Sequence, residues 1–460
     1  MNSRFQLFVL LGIFVLLLTT AQAQTKGIFA DFTTSAGDFT IDLDFVRAPR
    51  TVANFIRLVE GSHSWMHPID GSVATKPWYT NSALYRFQYT LAEVGATNPL
   101  ALHGGLFRTD DGYSGQPGYT FLDEALNGLS HSIGTIAMVS SDGPHSNAAE
   151  FMLLLDDGAA YWDGQQTVFG HVSDGFPVVQ TIANGGHDSG FLHSPASIQS
   201  ITIRRVGAAA ESYDSNHPDL PSVYNDGCRV DILSGNQAQY VYIKAPHSQT
   251  WMAHTDDLLK PQWTLFSMGF NGTAEEVDGS TPFSTAHEGW RSHFFHGTRV
   301  EYPVFSAIPL EDMAGITFAA QWSDGNIYQY WLNLSAGTGF WQNVTTTGQV
   351  VKIHDPYSMV AETRGANSTH FNFMDTYGNV FDYVLGFEAH GMTSGRYYLE
   401  LRSGWGEFLG AEWGACEYAP WAPTVNSKPA SLLATTQRRQ FPKTGVVAKR
   451  GIRWFPPPID

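Results

Sequence analysis

At 460 residues the chain is long for one domain, and its 43% hydrophobic and 13% aromatic content with 45 glycines excludes a disordered polymer. It favours a loop-rich, mainly β protein of two or three domains. A formal net charge of -17 excludes a surface built for nucleic-acid phosphates, which needs clustered Lys and Arg, so no nucleic-acid partner is expected.

The N-terminus carries Arg4, the apolar run Phe5 to Leu18, and Ala21 and Ala23 in the small-x-small pattern of a signal-peptidase site. The run is short of the roughly 20 residues that span a bilayer. Residues 1–23 therefore read as a signal peptide, and the mature chain is expected to be exported, periplasmic or extracellular, with no further membrane span. Cys228 and Cys416 either pair across the C-terminal half or remain two buried thiols; neither belongs to a Cys-x-x-Cys spacing.

Residues 24–207 read as the first domain. Phe39, Ile41 and Leu43 alternate with Asp38, Thr40 and Asp42 after an Ala36-Gly37 turn, which predicts a hairpin between Phe32 and Leu43. Pro49 then opens a helix whose Val52, Phe55, Ile56 and Val59 recur at helical spacing until Gly61 stops it. A strand is predicted within Trp78 to Thr90, with Leu84 and Arg86 on one face, and Ile198 to Val206 closes the domain. Short strands with an early helix imply a closed β-barrel with capping helices.

Several stretches in this domain resemble cyclophilins, the barrel-fold peptidyl-prolyl isomerases. Thr51-Val52-Ala53-Asn54-Phe55 is similar to their first-helix motif, and Tyr79 to Arg86 to their Tyr-x-x-x-x-Φ-His-Arg strand, where Φ is apolar. Pro117-Gly118-Tyr119-x-Phe121-x-Asp123-Glu124 resembles the loop that follows. Gly134-x-Ile136-Ala137-Met138 and Gly143-Pro144-x-x-Asn147-x-x-Glu150-Phe151 resemble the central signature, and Trp162-Asp163-Gly164-x-x-x-Val168-Phe169-Gly170 the next. The resemblance implies catalysis of cis-trans isomerisation at X-Pro bonds on proline-containing segments of client proteins. Such a reaction needs no covalent step and no cofactor. It requires an apolar seat for the ring and a donor to the prolyl nitrogen once twisting exposes its lone pair. Arg86 is the implied donor, suited by its permanent charge and fixed fork.

Carried over position by position, the resemblance puts the rest of the groove on Leu91, Ala92, Val94, Glu150, Met152, Tyr161, Trp162 and Gln166. Ser140 or Ser141 stands in for the peptide-anchoring amide of the central loop. Glu150 departs most, for an ionised carboxylate only accepts hydrogen bonds where the family has an amide that also donates. An ion pair between Glu150 and Arg86 would compete with the prolyl nitrogen, so weak activity is expected. The insertion Ser62 to Thr75 and the altered region Ala96 to Asp110 suggest a reshaped groove rim.

Other chemistries are less supported. His131, His145, His171 and His187 lack metal-helix spacing, Asp-Gly pairs are first of all turn signals, and no metal or cofactor is assigned. Residues 208–225, small, polar and proline-bearing, read as a linker. In residues 226–426 the pattern Gly235-Asn236-x-x-Gln239-Tyr240 recurs from Gly325 and from Gly378, and predicts aromatic hairpins in an all-β accessory domain: sandwich, barrel or propeller-like array. Trp322, Trp331 and Trp341 are core residues or stacking platforms for sugars or peptides, and Asn271, Asn333, Asn343 and Asn367 begin glycosylation sequons. Residues 427–460 form a locally basic, irregular tail. Two other functions remain open: a degenerate peptide-binding barrel without catalysis, or a glycan- or surface-binding protein acting through the accessory domain.

Overall fold

The computed structural model describes residues 26–420, less short internal stretches that include 90–98, 141–142, 285–293, 304–315 and 322–326. In the first half, β1 (Gly27–Thr34) and β2 (Gly37–Leu43) make the predicted hairpin, with Phe32 opposite Phe39 and their rings stacked at 4.6 Å. Helix α1 (Pro49–Glu60) starts on Pro49 and ends where Gly61 turns left-handed at φ 64°, its N–H reaching the Arg57 carbonyl. There follow β3 (Ala83–Tyr89), β4 (Pro99–Gly104), β5 (Thr135–Met138), β6 (Phe151–Leu154), β7 (Val168–Asp174), α2 (Phe176–Ala183) and the long β8 (Phe191–Val206). Around the sheet the order is β1, β2, β7, β5, β6, β4, β3, β8 and back to β1, a closed eight-stranded barrel. Closure rests on β8, which pairs with both β3 and β1.

Alternate residues of each strand face opposite sides. Inside lie Phe32, Phe39, Leu84, Leu102, Ile136, Phe151 and Leu153, met by Phe55 from α1. Outside, a second buried cluster of Leu100, Ala101, Ala137, Met152, Leu154, Trp162 and Val168 covers the β4–β6–β5–β7 face.

Residues 208–225, read above as a linker, are packed against this barrel. They carry a helical turn, α3 (Ala208–Glu211), and the start of β9 (Ser222–Asp226). Ala210, Leu220 and Val223 join the barrel core, Asp219 pairs with Arg50 at 2.8 Å, and the Tyr213 hydroxyl donates to the Pro49 carbonyl. Three apolar anchors within a polar, proline-bearing stretch outweigh its composition.

The second half is antiparallel throughout its described pairings. β9, β10 (Ser248–Thr255), β11 (Thr264–Asn271) and β12 (Phe294–Glu301) form one sheet in the order β9, β12, β10, β11, and the strands Arg229–Ile232, Gln237–Ile243 and Asp278–Ser284 a smaller one. Then come β13 (Ile316–Gln321), β14 (Ile327–Asn333), β15 (Thr338–Val344), β16 (Val350–Ile353), β17 (Tyr357–Val360), β18 (Thr369–Met374), β19 (Val380–Phe387), β20 (Ser394–Arg402) and β21 (Phe408–Pro420). Their pairing runs β14, β13, β21, β20, β19, β18, β17, β15 and returns to β14, so eight strands close into a second barrel with β16 added at β15. Each Gly-Asn repeat directly precedes one strand of a hairpin, and Phe318 opposite Tyr330 matches Phe371 opposite Tyr383. Phe371, Tyr383 and Tyr397 are fully buried, which makes these aromatics core.

Cys416 is buried, while Cys228, Ser141, the side chains of Trp322, Trp331 and Trp341, and the basic tail lie outside the described residues. Asn367 is buried, its amide donating to the carbonyl and hydroxyl of Thr120 at 2.8 and 3.0 Å, so a glycan there is incompatible with this packing. Among the described residues no helix is long and apolar enough to cross a membrane.

Candidate active site

Arg86 lies on β3 at a register break between Leu84 and Arg86 in the pairing with β4. The sequence places Leu84 and Arg86 on one face, but the bulge between them leaves Leu84 in the barrel core and turns Arg86 to the outer side; here both Tyr85 and Arg86 reach Glu150, which immediately precedes β6. The Tyr85 hydroxyl donates to Glu150 Oε1 at 2.7 Å, and Arg86 Nη2 lies 3.4 Å from the same oxygen. Across the ladder Arg86 faces His103 of β4, whose Nδ1 is 3.1 Å from Arg86 Nη2 and 3.2 Å from Glu150 Oε1. His103 in turn faces Met152, and Met152 faces Ala137. The row Arg86, His103, Met152, Ala137 therefore crosses four strands on the outer side of the barrel, with the apolar cluster around Trp162 beside it.

The electrostatics follow from burial. Glu150 is buried, which by itself would raise its pKa, but the His103 hydrogen bond, the charges of Arg86 and His103 and the Tyr85 hydroxyl outweigh this and hold the carboxyl below its usual range. Burial and then the Arg86 charge push His103 below the ordinary histidine value, despite Glu150. The site thus holds one cation, one anion and a neutral imidazole near pH 7.

A family model for cyclophilin type peptidyl-prolyl cis-trans isomerases matches residues 29–208. Peptidyl-prolyl cis-trans isomerase B of Streptomyces anulatus is 31% identical over 158 residues, which cover 34% of this chain and 83% of that protein. The chain belongs to the cyclophilin-type peptidyl-prolyl cis-trans isomerase family. Peptidyl-prolyl cis-trans isomerase-like 1 of Aspergillus fumigatus is 29% identical over 149 residues, covering 32% of this chain and 78% of the relative. A crystal structure of a cyclophilin type isomerase from Cryptosporidium parvum is 20% identical and covers 39% of this chain and 98% of its own, at a TM-score of 0.31.

Within the cyclophilin domain the expected site residues divide. Arg86, Glu150 and Met152 come together on one face. The rings of Trp162 and Tyr161 lie 4.8 Å apart, tilted by 53°, and pack on the same apolar cluster; the Tyr161 hydroxyl and Gln166 Oε1 are buried without a partner among the described residues. Ser140 is turned inward, its hydroxyl donating to Asn147 at 2.7 Å. Leu91, Ala92 and Val94 lie outside the described residues.

Counting on from Arg86 without a gap stops inside the connection between β3 and β4. The residues that line the outer face of β4 are Leu100, Ala101 and His103, none of which the sequence reading named. The available signal was Gly104-Gly105. A Cβ on Gly104 would meet Leu84 at 2.7 Å, and Gly105, at φ 101°, would meet the Ala149 carbonyl at 2.3 Å. Two such glycines let β4 close on β3 and on the segment before β6, where His103 stands opposite Arg86.

The accessory domain is seated on this same loop system. Asp123, from the motif before the central signature, accepts the His145 backbone N–H at 2.8 Å and pairs with Arg396 of β20. His145 has φ 62°, and its Nε2 lies 2.9 Å from the Phe387 carbonyl of β19. Asp123, His145 and Arg396 are all buried. Burial would raise Asp123, but the charges of Arg396 and His145 and the hydrogen bonds from His145 hold it well below the carboxylate range. The insertion Ser62 to Thr75, expected at a groove rim, instead forms a hairpin that docks on the other sheet: Thr298 donates to the Gly71 carbonyl at 2.5 Å and His296 Nε2 reaches that of Asp70.

Proposed function

We propose that this protein is exported and accelerates cis-trans isomerisation of X-Pro bonds in proline-containing segments of client proteins, with Arg86 donating to the prolyl nitrogen as the amide twists. The observation that carries the reading is the placement of the Arg86 guanidinium at the end of an outward-facing row that continues into the apolar side chains of Met152 and Ala137, with Trp162 alongside. An arginine beside an apolar seat meets the two demands of the reaction: burial of the ring and stabilisation of a lone pair present only in the twisted state. No atom is transferred, so no further group is required.

Glu150 lowers the rate in this reading. Arg86 Nη2 is shared with a carboxylate at 3.4 Å and an imidazole at 3.1 Å, so part of its donor capacity is spent in the ground state. Export rests on the sequence of residues 1–23 and is tested by N-terminal sequencing of the secreted protein, expected to begin at Gln24.

The decisive assay is X-Pro isomerisation, by proline-limited refolding or a cis-enriched peptide, using the full mature chain, because residues 208–225 and the accessory domain pack on the barrel. Arg86→Ala is expected to lower kcat/KM by about 10²-fold, the usual effect of removing one preorganised donor. A wild-type chain no faster than the uncatalysed reaction would leave a peptide-binding barrel without catalysis.

A further inference from the structure

His103 is buried to 1% exposure, its Nδ1 is the closest side-chain nitrogen to Arg86 Nη2 among the described contacts, and its Nε2 has no partner among the described residues. Its Nδ1 is shared by two neighbours with opposite demands. Arg86 Nη2, at 3.1 Å, is only ever a donor and asks for a lone pair; Glu150 Oε1, at 3.2 Å, is an acceptor and asks for a proton. A neutral imidazole can satisfy one and must oppose the other. With the lone pair on Nδ1, His103 and Glu150 together hold the guanidinium. With a proton there, Nδ1–H donates to Glu150 and faces the Arg86 N–H.

We propose that His103 is a positioning residue that apportions Arg86 between Glu150 and the substrate, and that proton uptake by its ring turns the Arg86 donor toward the prolyl nitrogen. The imidazolium carries a proton on each nitrogen, so Nδ1–H forms a charge-assisted bond to Glu150, takes over its charge and repels Arg86 from that corner. Among the described residues, the charged and titratable groups that face His103 are Tyr85 and Arg86 of β3 and Glu150 ahead of β6. Tyr85 is raised, by burial first and then by Glu150, and Glu150 is lowered, so neither changes charge in the window where His103 does. Isomerase activity should therefore rise on mild acidification below the ordinary histidine value of 6.5, with Glu150 still ionised.

The inference rests on Arg86 being the catalytic donor, and the experiment separates the two. kcat/KM for an X-Pro peptide is measured from pH 5 to 8 on the mature chain, its Arg86→Ala and its His103→Gln variants, with fold checked by circular dichroism at each pH. The wild type is expected to gain about threefold or more toward acid, with a midpoint equal to that of the His103 ring measured by nitrogen NMR. His103→Gln, whose amide donates and accepts at every pH, should lose the acid rise whatever its activity at pH 8. If Arg86→Ala is as active as wild type, the catalytic reading itself falls. If Arg86→Ala is impaired but the wild-type profile is flat, or the rise survives in His103→Gln, or the NMR and kinetic midpoints disagree, the role of His103 is overturned alone.

Discussion

One oxygen of the Glu150 carboxylate accepts from Tyr85 and Arg86 and lies 3.2 Å from His103 Nδ1. Replacing it by an amide of the same shape removes the charge that restrains Arg86 while leaving an acceptor for Tyr85. Glu150→Gln is therefore expected to raise kcat/KM about fivefold, on the order of 1 kcal/mol of transition-state stabilisation, and an unchanged rate in the peptide assay would discard the ion-pair argument. The same residues set the pH dependence of stability. His103, Glu150 and Asp123 all have folded pKa values below their ordinary 6.5, 4.5 and 3.8, so the unfolded chain binds protons first as pH falls. Their stabilising effect is complete above 6.5, declines below it as unfolded histidine titrates, and falls further below 4.5 and 3.8. Denaturant midpoints should be flat near pH 7 to 8 and drop toward pH 4.

At the level of elements, the site depends on β4 lying close against β3 and the chain before β6. Gly105 makes this possible, since at φ 101° any side chain is strained and its first carbon would sit 2.3 Å from the Ala149 carbonyl. Gly105→Ala is expected to cost more than about 1 kcal/mol in denaturant unfolding and to lower isomerase activity beyond the loss of folded protein, because His103 and Glu150 flank the displaced contact. The aromatic repeat of the second half is legible in the sequence for a physical reason. The Phe371–Tyr383 and Phe318–Tyr330 pairs are local, set by turn length and strand period, and so were visible as a spaced pattern.

For the whole molecule, two barrels meet through a charged, buried contact. Arg396 of β20 reaches both Asp123 and the Gly164 carbonyl, and a Cβ on Gly386 of β19 would lie 2.5 Å from Pro144. Asp123→Ala leaves the guanidinium buried without its acid, and about 3–5 kcal/mol of destabilisation is expected. Paired with Arg396→Met in a double-mutant cycle, coupling of about 1–3 kcal/mol is expected, and additive effects would mean that the two residues do not act as a pair. Because the accessory domain holds the loop bearing Asn147 and leading into Glu150, undocking should also alter isomerase kinetics.

The sequence by itself determined the first hairpin, the helix from Pro49 to Gly61, the strand bearing Arg86, the closing strand and the acid at Glu150. Each is written in local spacing, in a cap or in an ordered string of motifs that survives low identity. Only the tertiary structure decided that His103 faces Arg86, that Ser140 turns inward, that residues 208–225 are packed rather than spanning, and that β13 pairs with β21 to close a second barrel. The reason is the same in each case: partners far apart along the chain leave no periodic trace. A connection of unknown length between β3 and β4 moves every position counted from Arg86, whereas the register of the sheet, fixed by two glycines and a bulge, does not.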